Sequence, residues 1–169
     1  AIFQIMATRF FERQVAVYAT YHRDRRNRAS HFVGIPAIVF ALLVMSAQWR
    51  IIPIAGIVVP ADWIVAVAAA LGWIALDALI GIAMAVVLVP MALVADWVAA
   101  RFGADGAWIA FAVFFVGGWI FQFVGHAFEG RRPALVDNLF QAFIGPMFIM
   151  AELLEAVGIR RKHMAAPSA

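Results

Sequence analysis

The sequence contains no cysteine, and only 14% of its 169 residues are charged. The lack of cysteine excludes disulfides, thiolate catalysis and cysteine-bound zinc or iron–sulfur centres, so any metal must be held by histidine and oxygen ligands. The shortage of charge accompanies a hydrophobic content of 66% and a mean hydropathy of +0.93, both far from the values of soluble domains. The composition therefore predicts an integral membrane protein.

Three long uncharged runs cover residues 32–49, 78–95 and 107–125. Each approaches the roughly 20 residues that a helix needs to cross a bilayer. Two shorter apolar runs, at 63–76 and 138–151, each suit a thin span, a half-helix or one arm of a hairpin. We expect an all-α bundle with about four spanning helices, an N-terminal amphipathic helix and a C-terminal helix that is re-entrant or interfacial.

The region 62–101 allows two topologies. It forms either one overlong helix or two helices that meet in a tight hairpin at Asp77, with this aspartate as the N-cap of the second helix. Arginines at 23, 25, 26 and 28 place the start of the first span on the cytoplasmic side. Only the hairpin returns residue 126 to that side, since the single helix would leave it roughly 30 Å away, across the bilayer.

Local signals predict where several elements begin. Asn27 is a plausible N-cap for the first span, and Pro53, Gly56 and Pro60 predict a loop followed by a helix that begins near Ala61. We expect residues 1–163 to form one membrane-embedded domain. The last residues, 164–169, are expected to be a disordered tail.

Three of the four histidines lie at the ends of apolar segments. His22 and His31 bracket the start of the first span, and His126 ends the fourth. Tyr18 and His22 share one helix face, as do Asn27 and His31. A metal site formed by His22, His31 and His126 at one membrane face is therefore predicted, although single interfacial histidines commonly only place a polar tip in water.

The polar residues near His126 have several interpretations. Glu129 could complete the ligand set, orient His126, or form an ion pair with Arg131 or Arg132. The two arginines could hold a substrate carboxylate or anchor the chain at the membrane surface. Asp137, with the neighbouring Asn138, suits capping and turns.

Two tyrosines and the remaining histidine complete the candidates. Tyr18 and Tyr21 suit interfacial aromatic positions, and we keep Tyr18, which lies beside His22, as a candidate catalytic residue. His163, in the basic tail, is expected to be solvated. The basic residues are mostly arginines and lie at segment ends. This placement is typical of membrane anchoring, so we expect no nucleic-acid partner.

Imidazole ligands with open metal positions suit non-haem iron(II) chemistry. Two alternatives stay open at this point. One is a metal-free lipid-binding or transport protein, and the other is a zinc-dependent lipid hydrolase, since three histidines and a water also describe catalytic zinc.

Two stretches resemble the membrane 2-hydroxy fatty acid dioxygenases of α-oxidation, the family whose fungal member acts in phytosphingosine breakdown. They are Y-A-T-Y-H-R-D-R-R-N-R-A-S-H-F-V-G-I-P at 18–36 and G-W-I-F-Q-F-V-G-H-A-F-E-G-R-R-P-A-L-V-D-N-L-F-Q-A-F at 118–143. The resemblance implies an Fe²⁺ enzyme that uses O₂ to shorten a 2-hydroxy fatty acid by one carbon, without 2-oxoglutarate.

The resemblance also implies roles for particular residues. His22, His31 and His126 match the histidines of the family and would bind iron, with Asn27 and Glu129 as further catalytic positions. Arg132, Asp137 and Asn138 also fall on characteristic positions of the family, and we take them, together with Arg131, as the candidate substrate contacts. We expect the lipid bilayer as surroundings, no protein partner, and a location in a bacterial inner membrane with the metal near the cytoplasmic face, or in the endoplasmic reticulum of a eukaryote.

Overall fold

The computed structural model describes residues 2–54 and 57–159, and these residues are mostly helical. The expected tail at 164–169 and His163 lie outside the described residues. The elements in chain order are α1 (Ile2–Thr20), α2 (Arg25–Ser46), β1 (Arg50–Ile54), β2 (Ile57–Pro60), α3 (Ala61–Leu76), α4 (Ala78–Glu129), α5 (Ala134–Asp137) and α6 (Gln141–Ala156). The prediction of a helical protein is confirmed.

The segment predicted as a loop before α3 contains a short antiparallel pair of strands, β1 and β2. The expected loop is instead a two-stranded hairpin between α2 and α3, and its register pairs Arg50 with Pro60. The amide of Ala61 then donates to the carbonyl of Trp49, at 2.9 Å. Helix α3 begins at Ala61, as predicted.

Asp77 forms the turn between α3 and α4. Its backbone is extended, and its carboxylate accepts a hydrogen bond from the amide of Ile80 at 3.1 Å, as an N-cap does. The helices then run antiparallel, since Trp63 near the start of α3 donates to Asp96 far along α4, at 2.6 Å. The hairpin alternative at Asp77 is therefore the one that the structure adopts.

Helix α4 is broken at Gly103, which has φ of 64° and ψ of −165°. Glycine tolerates this left-handed φ because it has no Cβ. The segment 104–129 runs antiparallel to α2, since Gly118 lies against Gly34, while Phe114 contacts Phe40 farther along α2 with 4.9 Å between ring centroids. The break thus separates the two uncharged runs and brings residue 126 back to the start of α2.

Helices α1 and α6 pack at the end of the bundle where α2 begins. Helix α1 is amphipathic in its packing, because Phe11, Val15 and Tyr18 are buried while Glu12 and Arg13 are exposed. Helix α6 is more deeply enclosed than the expectation of an interfacial helix implied, with residues 144–151 all buried. Its relation to a bilayer stays a prediction.

Among residues 2–54 and 57–159, two helices are long and apolar enough to cross a membrane, judged by length and composition: α2 and α4. Helix α3 is apolar but has 16 residues, which is short for a full span. Many large apolar side chains on α4 are exposed, including Val86, Ile109 and Val113. Such an apolar exterior is what a lipid environment requires.

Candidate metal centre

The fold brings three histidines together from separate elements. His22 follows α1, His31 lies in the second turn of α2, and His126 lies in the last turn of α4. All three are buried, and one ring nitrogen from each lies within 4.8 Å of the others. The predicted convergence requires the turn at Asp77 together with the break at Gly103, and both are present.

Backbone carbonyls fix the orientation of two of the rings. The Nδ1 of His22 lies 2.7 Å from the carbonyl of Tyr18, and the Nδ1 of His31 lies 2.8 Å from that of Asn27. Because a carbonyl only accepts, each Nδ1 must carry the proton, which leaves Nε2 of a neutral ring with a free lone pair. The two Nε2 atoms lie 3.0 Å apart. Two lone pairs at this distance repel unless a cation is shared between them, and two nitrogens bound at about 2.1 Å to one metal ion can lie this close.

The surroundings hold these rings in the neutral form. Burial first, and then the proximity of His31, lowers the pKa of His22 to about 3. Neutral imidazole is the form that binds metals. Tyr18 stacks on His22 with ring centroids 3.9 Å apart and an angle of 6° between the planes. Burial, followed by the charge of Glu152, raises the pKa of Tyr18, so its phenol stays protonated.

His126 completes the cluster. Its ring centroid lies 5.0 Å from those of His22 and His31. Its Nδ1 is buried and has no hydrogen-bond partner among residues 2–54 and 57–159. An unpaired buried nitrogen costs about 1–3 kcal/mol, which binding to a metal would offset. The three residues therefore fit a metal ion held by nitrogen ligands with positions left open.

A cavity of about 250 Å³ opens from the histidine cluster. It extends between α2 and the segment 104–129 of α4, and the segment 133–146 closes its other side. Apart from the histidines, its polar lining consists of Tyr18, Gln122 and Gln141. The apolar lining comprises Ile35, Ile38, Val39, Leu42, Phe115, Trp119, Pro133, Ala134, Leu135, Ala142, Gly145 and Pro146. A cavity with this lining suits an aliphatic chain whose polar head lies at the histidines.

Glu129 holds the start of α2 against the end of α4. Its carboxylate accepts from the amides of Arg23 and Asp24 at 2.9 and 2.8 Å, and from the Nδ2 of Asn27 at 3.1 Å. It does not belong to the histidine cluster. Glu129 thus fixes the loop that carries His22, and a direct catalytic role stays a prediction.

Asn27 is not the N-cap of α2, contrary to expectation. The cap is Asp24, whose carboxylate accepts from the amide of Arg26 at 2.8 Å. The helix therefore begins three residues earlier than the predicted Arg28, and Asn27 lies in its first turn. There its carbonyl orients His31, while its Nδ2 bonds Glu129 and the carbonyl of Tyr21.

The predicted substrate contacts form a latch that ties α5 to the end of α1. Arg131 donates to the carbonyl of Thr20 at 2.8 Å and lies over the ring of Tyr21. Arg132 forms an ion pair with Asp137, which also accepts from the hydroxyl of Tyr21 at 2.8 Å.

Asn138 accepts from the amide of Phe140 at 3.0 Å, which is the turn role considered from the sequence. Arg131, Arg132, Asp137 and Asn138 are all exposed and lie outside the cavity lining. Their substrate-binding role stays a prediction.

Sequence reasoning missed a buried glutamine in the cavity wall and its partner on α1. Gln141 is 1% exposed, and its Nε2 donates to Gln14 on α1 at 2.6 Å. It also missed the partner of Glu152, which forms an ion pair with Arg28 at 2.6 Å. Neither contact has a signature in the sequence, because each joins residues far apart along the chain.

Comparison with known proteins places the chain in one family. Residues 8–157 match the family described as "2-hydroxy-palmitic acid dioxygenase Mpo1-like". The 2-hydroxy-palmitic acid dioxygenase MPO1 of Saccharomyces cerevisiae is 32% identical over 147 residues, which cover 86% of this chain and 80% of the yeast protein. No solved structure matches the chain. The match spans both histidine-bearing motifs and the helices between them, and the chain belongs to the Mpo1-like family of 2-hydroxy-palmitic acid dioxygenases.

Proposed function

We propose that this protein is an iron(II)-dependent dioxygenase that shortens 2-hydroxy fatty acids by one carbon. The observation that carries the proposal is the set of three buried histidines at the end of an apolar cavity, with ring nitrogens within 4.8 Å of one another. The name of the yeast relative supplies the substrate class. The overall reaction balances as 2-hydroxy acid plus O₂ giving the shorter acid, CO₂ and water. The bond between C1 and C2 breaks, and O₂ accepts four electrons.

His22, His31 and His126 would hold the metal. Bound Fe²⁺ supplies the redox chemistry that lets O₂ react with the substrate, and imidazole ligands with open positions suit this ion. Tyr18 and Asn27, through their backbone carbonyls, keep the Nε2 atoms of His22 and His31 free for it. The buried stack of Tyr18 on His22 excludes water from one side of the site.

The protein would work within a membrane. In this proposal α2, α3 and the two segments of α4 are the four spans, with the metal site near the cytoplasmic face. The arginine cluster at the start of α2 supports this orientation through the positive-inside rule. An interfacial site keeps the charged head of a fatty acid near water while its chain lies in the apolar cavity. A bacterial inner membrane is the location we infer from the composition.

The test is metal analysis of anaerobically purified protein, paired with an assay of 2-hydroxypalmitate under O₂. We expect one iron per chain and pentadecanoic acid as the product. Release of ¹⁴C-labelled CO₂ from substrate labelled at C1 would check the balance of the reaction. Omission of 2-oxoglutarate should not change the rate.

Other outcomes would identify the alternatives. Zinc with ester hydrolysis that does not require O₂ would indicate a lipid hydrolase. A folded protein that binds no metal on reconstitution would overturn the proposal and favour a lipid-binding or transport role. Protein reconstituted with zinc instead of iron is the matched control, since it fills the same ligands without redox chemistry.

A further inference from the structure

Gln122 occupies a distinctive place in the cavity. It lies one helical turn before His126 on the same face of α4, so its side chain and a proposed metal ligand line the same wall. It is 6% exposed. No hydrogen bond joins its amide to any residue in the described part of the chain. Because Gln122 lines the cavity, its unpaired amide is available to a ligand that enters there.

The space for this amide is provided by Gly34 on the facing helix. A Cβ added at Gly34 would lie 3.2 Å from the Nε2 of Gln122, which is tighter than ordinary contact. The amide is therefore held between α2 and α4 beside the histidines. It does not extend toward the surface.

Most other polar side chains near the site are already engaged, although Oε1 of Gln141 and Nδ1 of His126 are buried without a partner among the described residues. The Nε2 of Gln141 bonds Gln14, and Arg131 and Arg132 belong to the latch outside the cavity. The cavity lining contains no arginine or lysine. A substrate carboxylate that enters it therefore has to be recognised by neutral donors together with the metal.

We propose that Gln122 binds the polar head of the substrate and selects 2-hydroxylated acids. This inference rests on the proposed function. A side-chain amide has donor N–H groups and an acceptor oxygen, and a 2-hydroxy acid presents an acceptor carboxylate beside a donor hydroxyl. An acid without the hydroxyl would leave the amide oxygen unpaired, and a site built to bond a hydroxyl rejects the analogue that lacks it.

The test compares Gln122→Leu with the wild type in binding and in turnover. Calorimetric titration of detergent-solubilised, iron-loaded protein under anaerobic conditions gives the affinity for 2-hydroxypalmitate and for palmitate. We expect the wild type to bind the hydroxylated acid at least about tenfold more tightly, and Gln122→Leu to lose this preference. In the aerobic assay KM should rise by about 10- to 100-fold, as the loss of a hydrogen bond to a charged group implies. The iron content should not change.

Two further variants keep the test decisive. Gln122→Glu retains the size of the side chain and adds a charge that repels a carboxylate, so it should weaken binding even if the leucine variant does not fold. Gln48→Leu makes the same change outside the cavity lining and should behave as the wild type.

The outcomes separate this inference from the proposed function. Wild-type protein that neither binds nor converts 2-hydroxypalmitate overturns both. Turnover by the wild type with unchanged affinity and selectivity in Gln122→Leu overturns only the role of Gln122. A loss of affinity in Arg131→Ala or Arg132→Ala, with no loss in either Gln122 variant, would assign the carboxylate to the arginines instead.

Discussion

Gly125 of α4 lies so close to Asn27 of α2 that a Cβ at this glycine would be 2.6 Å from the Oδ1 of Asn27 and 2.0 Å from the Oγ of Ser30. Asn27 in turn holds His31 through its carbonyl. The geometry of the site therefore depends on the absence of a side chain at position 125.

Gly125→Ala should lower both stability and metal content. The added methyl group must displace the side chains of Ser30 and Asn27, and overpacking of this kind costs about 1–3 kcal/mol. Thermal unfolding in detergent and metal stoichiometry measure the two effects. Gly117→Ala is the matched control, because nothing lies within 4 Å of a Cβ placed there. Equal behaviour of the two variants would contradict the prediction.

Removal of any one ligand should empty the metal site. Alanine at His22, His31 or His126 leaves two nitrogens and is expected to reduce bound iron to background, as measured by elemental analysis of purified protein. His163→Ala should retain full occupancy, since we predict this histidine to be solvated. Iron retained at wild-type levels in one of the first three variants would remove that residue from the ligand set.

Glu129→Ala should loosen the loop that carries His22. The carboxylate accepts three hydrogen bonds, two of them from backbone amides, and their loss should cost about 2–4 kcal/mol of unfolding free energy. Chemical denaturation monitored by tryptophan fluorescence provides the measurement. Glu12→Ala removes an exposed carboxylate from α1 and should change little. If Glu129→Ala abolished turnover at unchanged stability and iron content, the predicted catalytic role would gain support instead.

The absence of cysteine permits a direct test of the four spans. Single cysteines at Arg25 and Arg131 should react with a membrane-impermeant maleimide from one side of intact vesicles, and a cysteine at Asp105 from the other. All three residues are exposed, and Asp105 follows the break in α4. Labelling of all three from the same side would overturn the proposed topology.

Local chemistry made part of this fold predictable. The cap at Asp77 depends on one side chain and the next turn of backbone, so the sequence carries its signal. The same reasoning selected Asn27 as a cap, where Asp24 acts instead, because both residue types suit the position and lie three residues apart. The β1–β2 hairpin was missed because proline and glycine suit loops and tight strand connections alike.

Contacts between distant parts of the chain were harder to predict from the sequence. The sequence allows Glu129 to be a ligand, an orienting group or an ion-pair partner, whereas its carboxylate in fact accepts from two backbone amides, which every residue type except proline supplies. Similarly, Arg131 bonds a carbonyl of α1, and the sequence does not distinguish a carbonyl partner from a carboxylate. Site residues could be predicted from the sequence where the side chain itself has distinctive chemistry, as the histidines do.

The break at Gly103 has a consequence for how the protein is made. His22 and His31 emerge early in synthesis, whereas His126 reaches them only after α4 has reversed direction. A metal bound to all three would act as a crosslink that closes a long loop, and such crosslinks restrict the unfolded chain strongly. If the three histidines bind a metal as proposed, metal loading would come late in biogenesis, and the fraction of metal-loaded chains would measure how many have inserted with the correct topology.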